Sequence, residues 1–157
     1  MTRVAVVTGA AGGMGRAITD QLLDDGFKVV GVDIDGPALL MMGADRDGFI
    51  PEAVDLTDAE AVADLFDRLT TRFGGVDALV NNAGTCFMSD FPDIPAQELT
   101  RQMEINFHSA FHCCQGAVKA MQGRPGVRKI VNISSNGAYN FDVFDPPHYR
   151  ASKAAMD

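Results

Sequence analysis

Residues 4–16 have the sequence VAVVTGAAGGMGR, a short apolar β-type run that passes directly into a glycine-rich turn. The helix-forming stretch Met14–Asp25 follows at once. This order places backbone amides without obstructing Cβ atoms at the positive end of a helix, where a pyrophosphate binds. Gly9, Gly13 and Gly15 are predicted to supply the tight turn, the close approach of the ligand and the close packing of helix on strand. A plain glycine-rich turn is the alternative, and the missing Lys-Ser/Thr ending excludes an ATP-type loop.

The rest of the chain alternates apolar, β-branched runs with helix-like stretches. The predicted strands are Val4–Thr8, Lys28–Val32, Phe49–Val54, Val76–Asn81 and Lys129–Ile133. The predicted helices are Met14–Asp25, Asp58–Phe73 and Ala96–Met121, with a short turn around Ala38–Met42. Alternating strands and helices form right-handed crossovers, so the sheet is parallel and covered on both faces. We therefore predict one α/β domain over residues 1–157, a doubly wound sheet in three α/β/α layers.

Local signals set the expected ends of two helices. Thr57, with Glu60 three residues later, is the pattern of a capping box, and Gly74-Gly75 should stop that helix. The stretch Tyr149–Asp157 is helix-forming but ends without a capping residue. We expect a chain cut within the helix that starts near Tyr149, and little activity if the protein ends there.

Composition and charge exclude several classes of protein. The 157 residues are 46% hydrophobic and carry a net charge of −8, which disfavours nucleic acid and a polybasic membrane patch as partners. The first apolar run is stopped at Thr8-Gly9, so we expect no secretory signal and no membrane span. Three cysteines without a framework spacing favour a reduced, cytoplasmic setting.

An acidic residue ends the second predicted strand, about twenty residues after the glycine-rich turn. Asp33 could accept hydrogen bonds from both hydroxyls of an adenosine ribose. Its charge would repel a 2′-phosphate, and no arginine precedes Gly13 in the loop, although Arg16 follows it. NAD is therefore favoured over NADP. The alternative is a turn-forming residue in the stretch that also contains Asp35.

Polar residues near the end of the chain suggest acid–base chemistry. Tyr149 and Lys153 are four residues apart and share a helix face. An adjacent ammonium and an oxidised nicotinamide would lower the pKa of the phenol, which could then exchange a proton as hydride moves. Ser134 and Ser135 follow the fifth predicted strand at the ligand-binding edge of the sheet. A capping or turn-forming role is preferred for Ser134.

Together these residues resemble the short-chain dehydrogenase/reductase family. The matching motifs, in family order across the whole chain, are Thr-Gly-x-x-x-Gly-x-Gly at 8–15, Asn81-Asn82-Ala83-Gly84, Asn106, Ser135 and Tyr149-x-x-x-Lys153. The doubled glycine also fits the extended branch of the family. The Asn-Asn-Ala-Gly motif and the lack of inserted segments favour the shorter branch.

The resemblance implies a Rossmann-type fold and a role for each matching residue. Tyr149 would be the general acid/base, and Lys153 would hold the nicotinamide ribose and lower the tyrosine pKa. Ser135 would bind the substrate oxygen, and Asn106 would position a water in a proton relay. The implied cofactor-binding residues are Gly9, Gly13, Met14, Gly15, Asp33, Asp55, Leu56, Asn82, Ala83, Gly84, Tyr149 and Lys153. The structural alternatives are that Asn106 caps a kink and that Asp55 starts a helix.

Three weaker signals remain open. Phe141 and Phe144 could wall an apolar substrate pocket or pack beneath a lid. His148 could line the site, although a solvated loop histidine is commoner. His108 and His112 have the spacing of two zinc ligands, but no third ligand follows, so no metal is expected.

These observations predict an NAD-dependent oxidoreductase that transfers a hydride between nicotinamide and a secondary alcohol or ketone. It could be similar to a 3-oxoacyl-thioester reductase or to an alcohol dehydrogenase. A catalytically silent dinucleotide-binding sensor or scaffold is the alternative. The resemblance further implies a homo-oligomer, a dimer or tetramer, formed through the long helix and the helix at Tyr149.

Overall fold

Five parallel strands form a sheet in the computed structural model, which describes residues 2–140 and 145–157. They are β1 Val4–Thr8, β2 Lys28–Asp33, β3 Phe49–Ala53, β4 Ala78–Asn81 and β5 Lys129–Asn132. The order across the sheet is β3-β2-β1-β4-β5, so the chain first moves outward from β1 and then crosses back to β4. This is the doubly wound parallel sheet predicted from the sequence.

Six α-helices connect or follow these strands in the described residues. They are α1 Gly13–Asp24, α2 Gly36–Gly43, α3 Ala59–Phe73, α4 Ala96–Met103, α5 Ser109–Met121 and α6 Pro147–Ala154. Within residues 2–140 and 145–157, no helix has both the length and the apolar character that crossing a bilayer requires.

Two apolar clusters cover the two faces of the sheet. Val4 and Val6 of β1 point into the first cluster, which α3 and α5 close. Val7, the neighbour of Val6, points into the second cluster, which α1 and α2 close. Successive side chains of a strand alternate between its faces, so a run that is apolar at every position is buried on both sides. The three-layer α/β/α arrangement is confirmed.

The long helix predicted over Ala96–Met121 is interrupted. A π-helical segment, Glu104–His108, separates α4 from α5. Asn106 at its centre is fully buried, and its side chain bonds to groups outside the helix. A wider turn is typical of functional sites in helices. The predicted kink at Asn106 therefore corresponds to a π-helical turn.

The N-cap of α3 is one residue later than predicted. The carboxylate of Asp58, not the hydroxyl of Thr57, accepts hydrogen bonds from the amides of Glu60 and Ala61, at 3.0 and 3.1 Å. Such a cap contributes about 1 kcal/mol. Gly74 ends the helix as predicted, with a left-handed φ of 73°.

Two other helices differ in extent from their predictions. The expected short turn around Ala38–Met42 is the complete helix α2, capped by Asp35, whose carboxylate accepts the Ala38 amide at 3.0 Å. The last helix begins at Pro147, two residues before Tyr149, because proline suits the first turn of a helix.

Candidate active site

A cleft of about 410 Å³ opens at the carboxyl ends of β1, β2 and β4. This is where the strand order reverses, the place at which doubly wound sheets bind ligands. The cleft is lined by Gly9, Gly12, Gly13, Met14, Gly15, Asp33, Ile34, Val54, Asp55, Leu56, Thr57, Asn82, Ala83, Gly84, Arg101, Ile105 and Ser109. Every predicted cofactor-binding residue except Tyr149 and Lys153 is in this set.

The glycine-rich turn is shaped by close contacts at two positions. Gly9 has a φ of 64°, and a Cβ there would lie 2.9 Å from the Cα of Ala83. A Cβ on Gly15 would overlap the Gly9 carbonyl oxygen and approach the Cα of Ala10 to 2.8 Å. A Cβ on Gly13 would meet nothing within 4 Å, so this side of the turn is open to the cleft. The helix α1 begins here, and its free amides favour an anion.

Hydrogen bonds between β1 and β4 fix the floor of the cleft. The Thr8 hydroxyl oxygen accepts the amides of Asn82 and Ala83, both at 3.0 Å. The side-chain amide of Asn82 donates in turn to the carbonyls of Thr8, at 2.9 Å, and Gly9, at 3.2 Å. These bonds satisfy backbone groups that the strand ladder leaves unpaired. They also hold Asn82 and Ala83, two of the implied cofactor-binding residues, against the end of β1.

Asp33 faces the cleft from the end of β2. One carboxylate oxygen accepts the amide of Ala11 at 3.0 Å, and the other accepts the amide of Asp35 at 3.1 Å. A carboxylate offers about four lone-pair sites, so acceptor capacity remains on both oxygens. Asp35 caps α2 and does not line the cleft.

The wall beyond Asp33 is formed by the loop after β3. One oxygen of Asp55 accepts both the Thr57 hydroxyl, at 2.7 Å, and the Thr57 amide, at 2.9 Å. These bonds hold the pKa of Asp55 below its usual value, with a smaller contribution from Arg101. Asp55 lines the cleft, whereas the alternative that it starts a helix is wrong, because Asp58 is the N-cap and α3 begins at Ala59.

Arg101 closes the same end of the cleft from α4. Its guanidinium lies 3.3 Å from the Glu104 carboxylate and 3.4 Å from the Thr57 hydroxyl. Arg101 lies outside the sequence motifs. No local pattern marks it, because its cleft-lining position depends on how α4 packs beside the loop.

Lys153 is buried beside Gly84, a residue that lines the cleft, but does not line the cleft itself. Its ammonium donates to the carbonyl of Ile133 at 2.8 Å and would lie 3.4 Å from a Cβ on Gly84. Burial lowers the pKa of Lys153, partly offset by the charge of Asp157. Asn106 would lie 3.3 Å from the same Cβ, so a small residue at position 84 leaves room for both side chains.

Asn106 holds the loop that follows β4. Its side-chain oxygen accepts the amide of Thr85 at 2.8 Å, and its nitrogen donates to the carbonyl of Thr85 at 2.9 Å. The same nitrogen donates to the hydroxyl of Ser152 in α6, also at 2.9 Å. The residue thus links α6 to the loop beside the cleft.

Tyr149 and Ser135 lie near this end of the structure but outside the cleft lining. Tyr149 is half-buried on α6, one turn before Lys153. The hydroxyl oxygen of Ser135 accepts the amide of Gly137 at 3.1 Å and caps a short 3-10 turn. The capping role had been expected of Ser134, whose hydroxyl instead donates to the Asp157 carboxylate at 3.0 Å.

The solvated loop position expected for His148 is wrong. His148 lies in the first turn of α6 with only 3% of its surface exposed, and its Nε2 is 3.1 Å from a carboxylate oxygen of Glu98. The predicted pocket residues Phe141 and Phe144 lie outside the described residues.

A second buried side-chain amide, that of Gln102, lies outside the sequence motifs. Gln102 is fully buried, its oxygen accepts the amide of Phe87 at 3.0 Å, and its nitrogen donates to the carbonyl of Thr85 at 2.7 Å. Two amides one helical turn apart, Gln102 and Asn106, therefore hold this loop through its backbone.

The histidines and cysteines of α5 and the preceding segment contribute to packing. The rings of His108 and His112 contact those of Phe107 and Phe111, with centroids 5.6 and 6.2 Å apart. Cys113 is buried in the core, which raises the pKa of its thiol to about 12. No group of three potential metal ligands lies together within residues 2–140 and 145–157.

Comparison with known proteins matches residues 3–157 to the family model described as short chain dehydrogenase. The chain is 33% identical to the D-beta-hydroxybutyrate dehydrogenase of Rhizobium meliloti, over 86% of this chain and 54% of that protein. It is 34% identical to the D-threitol dehydrogenase of Mycolicibacterium smegmatis, over 87% of this chain and 54% of that protein. The solved structure of the Thermoplasma acidophilum aldohexose dehydrogenase superposes with a TM-score of 0.87 at 28% identity, covering 98% of this chain and 57% of that one. The chain thus spans about half the length of the curated relatives it matches.

Proposed function

The chain belongs to the short chain dehydrogenase family, and we propose that the protein oxidises a secondary alcohol, or reduces the matching ketone, with NAD. The family consists of oxidoreductases that act on CH–OH groups with a nicotinamide cofactor. The observation that carries the proposal is the buried ammonium of Lys153, beside Gly84 at one end of the cleft and one helical turn after Tyr149.

The residues of the cleft fit a dinucleotide. The amides at the start of α1 and the open side of Gly13 suit a pyrophosphate. Asp33 has acceptor capacity left for the ribose hydroxyls, which favours NAD. Arg16, the cation that follows the loop, donates instead to the Ala11 carbonyl at 2.8 Å. The wall at Asp55 and Leu56 would contact the adenine.

The remaining site residues would act on the substrate and its proton. NAD would supply a hydride acceptor in one direction and, reduced, a hydride donor in the other. Tyr149 would exchange the hydroxyl proton as general acid/base, and Lys153 would hold the nicotinamide ribose. The Ser135 oxygen accepts the Gly137 amide, so its own O–H can donate to the substrate oxygen. Asn106 would fix the geometry around Lys153 and position the water of the relay.

The names of the similar proteins suggest small polar substrates. A hydroxy acid, a tetritol and an aldohexose are small polar molecules that each carry a secondary alcohol. We propose a substrate of that class. We further propose a homo-oligomer in the cytoplasm, consistent with three free cysteines and the half-exposed Phe111 and Val118 on α5.

The test is an assay of NADH absorbance on the whole encoded protein with a panel of hydroxy acids, polyols and sugars. Tyr149→Phe should lower kcat by roughly 10²- to 10⁴-fold, the usual contribution of general acid–base catalysis. Tyr139→Phe is the matched control, since Tyr139 is the other tyrosine of the chain and is 74% exposed. Undiminished activity in Tyr149→Phe contradicts the mechanism. Tight NAD binding without turnover on any alcohol would favour the silent sensor instead.

A further inference from the structure

Three polar residues at four-residue intervals contact the loop Thr85–Ser89: Glu98 and Gln102 of α4, and Asn106 of the π-helical segment that follows. Glu98 and Asn106 also contact the helix α6. Residues four apart on a helix lie on one face. We call this row, with its partners, the polar seam.

Two contacts of the polar seam reach α6. Glu98 lies 3.1 Å from Nε2 of His148, a polar contact without the alignment of a hydrogen bond. One turn further along α6, the Ser152 hydroxyl accepts the side-chain N–H of Asn106 at 2.9 Å. Ser152 is fully buried and His148 nearly so, so water cannot readily replace either partner.

Glu98 is itself held in place. Its second carboxylate oxygen accepts the Ser89 hydroxyl at 2.8 Å, and its side chain is 19% exposed. The Nδ1 atom of His148 is buried and has no hydrogen-bond partner among the described residues. A buried polar group without a partner costs free energy, so the contribution of this contact to stability is small.

The geometry of a helix converts these anchors into a constraint on Tyr149. Consecutive residues differ by about 100° around the axis, so His148 and Ser152 share one face while Tyr149 and Lys153 share the next. Anchoring the first face at two points one turn apart fixes both the rotation and the tilt of α6. The carbonyl of Ile133, which accepts from Lys153, fixes the other face.

We propose that Glu98 and His148 are positioning residues that set the rotation of α6 and thereby the direction in which Tyr149 presents its hydroxyl. This inference rests on the proposed function, because it assigns Tyr149 the acid/base role. A tyrosine oxygen lies roughly 9 Å from its helix axis, so a 10° rotation displaces it by about 1.5 Å. A displacement near 1 Å can cost about 100-fold in rate.

The test measures catalysis and cofactor binding in variants of the pair. His148→Leu should lower kcat by roughly 10- to 100-fold and weaken NAD binding by a smaller factor, because α6 carries Lys153 but the residues that line the cleft are untouched. His148→Gln retains an N–H donor near the Glu98 carboxylate and should recover most of kcat. The double variant His148→Leu/Glu98→Leu should have a kcat no lower than that of the slower single variant. Each single substitution already removes the contact between Glu98 and His148.

A matched control separates positioning from general loss of stability. Asp77 pairs with Arg124 just before the amino end of β4, at the opposite end of the strands from the cleft. Its carboxylate also accepts the Val4 amide at 2.8 Å. Asp77→Asn should lower the midpoint of denaturant unfolding while leaving kcat per folded molecule unchanged. An unchanged kcat in folded His148→Leu, or an equal loss in Asp77→Asn, overturns the proposal.

A second measurement does not depend on turnover. Amide hydrogen exchange in α6 should be faster in His148→Leu than in the unmodified protein, and exchange in α5 should be unchanged. If no alcohol is turned over by the unmodified protein, the proposed function fails while faster exchange in α6 still supports the anchoring. If exchange in α6 is also unchanged, the anchoring itself is wrong.

Discussion

Replacing Asp33 by asparagine is expected to weaken the discrimination between NAD and NADP. Asp33 accepts the Ala11 amide at 3.0 Å, and the side-chain oxygen of asparagine can accept the same bond. The variant loses only the negative charge and one acceptor oxygen. Two like charges about 4 Å apart repel by about 4 kcal/mol at an effective dielectric constant of 20. The cleft is open to solvent and salt, so we expect about 1 kcal/mol of that repulsion to be relieved for NADP.

NAD should bind less tightly to the same variant. A carboxylate forms stronger hydrogen bonds to hydroxyl groups than an amide does, and the loss is about 1 kcal/mol. Together the two effects amount to about 2 kcal/mol, so the ratio of the Kd for NADP to the Kd for NAD should fall roughly 30-fold. Both constants can be measured by titration calorimetry on the whole encoded protein.

Asp35→Asn is the matched control. It lies two residues away and removes an equal charge, but its side chain caps α2 and does not line the cleft. Asparagine is an equally good N-cap, so neither cofactor affinity nor stability should change much. Equal ratios of the two constants in Asp33→Asn and the unmodified protein would falsify the role given to Asp33.

Two further predictions concern the glycine-rich turn and the core. Gly15→Ala should lower the unfolding midpoint and abolish NAD binding, because the added Cβ would overlap the Gly9 carbonyl. Gly13→Ala should keep the midpoint and weaken NAD binding only, since a Cβ there meets nothing within 4 Å; a lower midpoint in Gly13→Ala would contradict this account. The raised pKa of Cys113, about 12 against 9.0, means that the folded protein retains the thiol proton after the unfolded chain has lost it. The free energy of unfolding should therefore fall as pH rises from 9 towards 12, and urea titrations should show a smaller fall in Cys113→Ala; equal slopes would contradict the assignment.

The sequence predicts well the sheet and the grouping of the motif residues around one cleft, because both depend on local patterns. Strands that are buried on both faces are apolar at every position, so runs such as residues 4–7 identify them directly. The positions of the glycines can be predicted because the turn has no room for a Cβ at Gly9 and Gly15. Ten of the predicted cofactor-binding residues line one cleft, since the motifs follow strands whose carboxyl ends share an edge.

The errors occur where contacts distant in sequence decide the outcome. Thr57 and Asp58 are both good capping residues, and only the fit of α3 on the sheet selects Asp58. His148 was expected in a loop, but Pro147 starts a helix there, and its partner Glu98 is fifty residues away. No periodicity in the sequence indicates that pair, nor the approach of Arg101 to the cleft.

The π-helical turn at Glu104–His108 has a consequence for how this chain tolerates changes in length. Such a turn holds one residue more than a regular turn, because its hydrogen bonds span five residues and not four. Deleting one residue there would let the helix close into regular α geometry without altering which sides of α4 and α5 face inward. The architecture should therefore survive a shortening at this point, while the side chain of Asn106 would lose its placement against Thr85 and Ser152. A change of one residue in length at this segment would therefore alter the chemistry of the site without altering the fold.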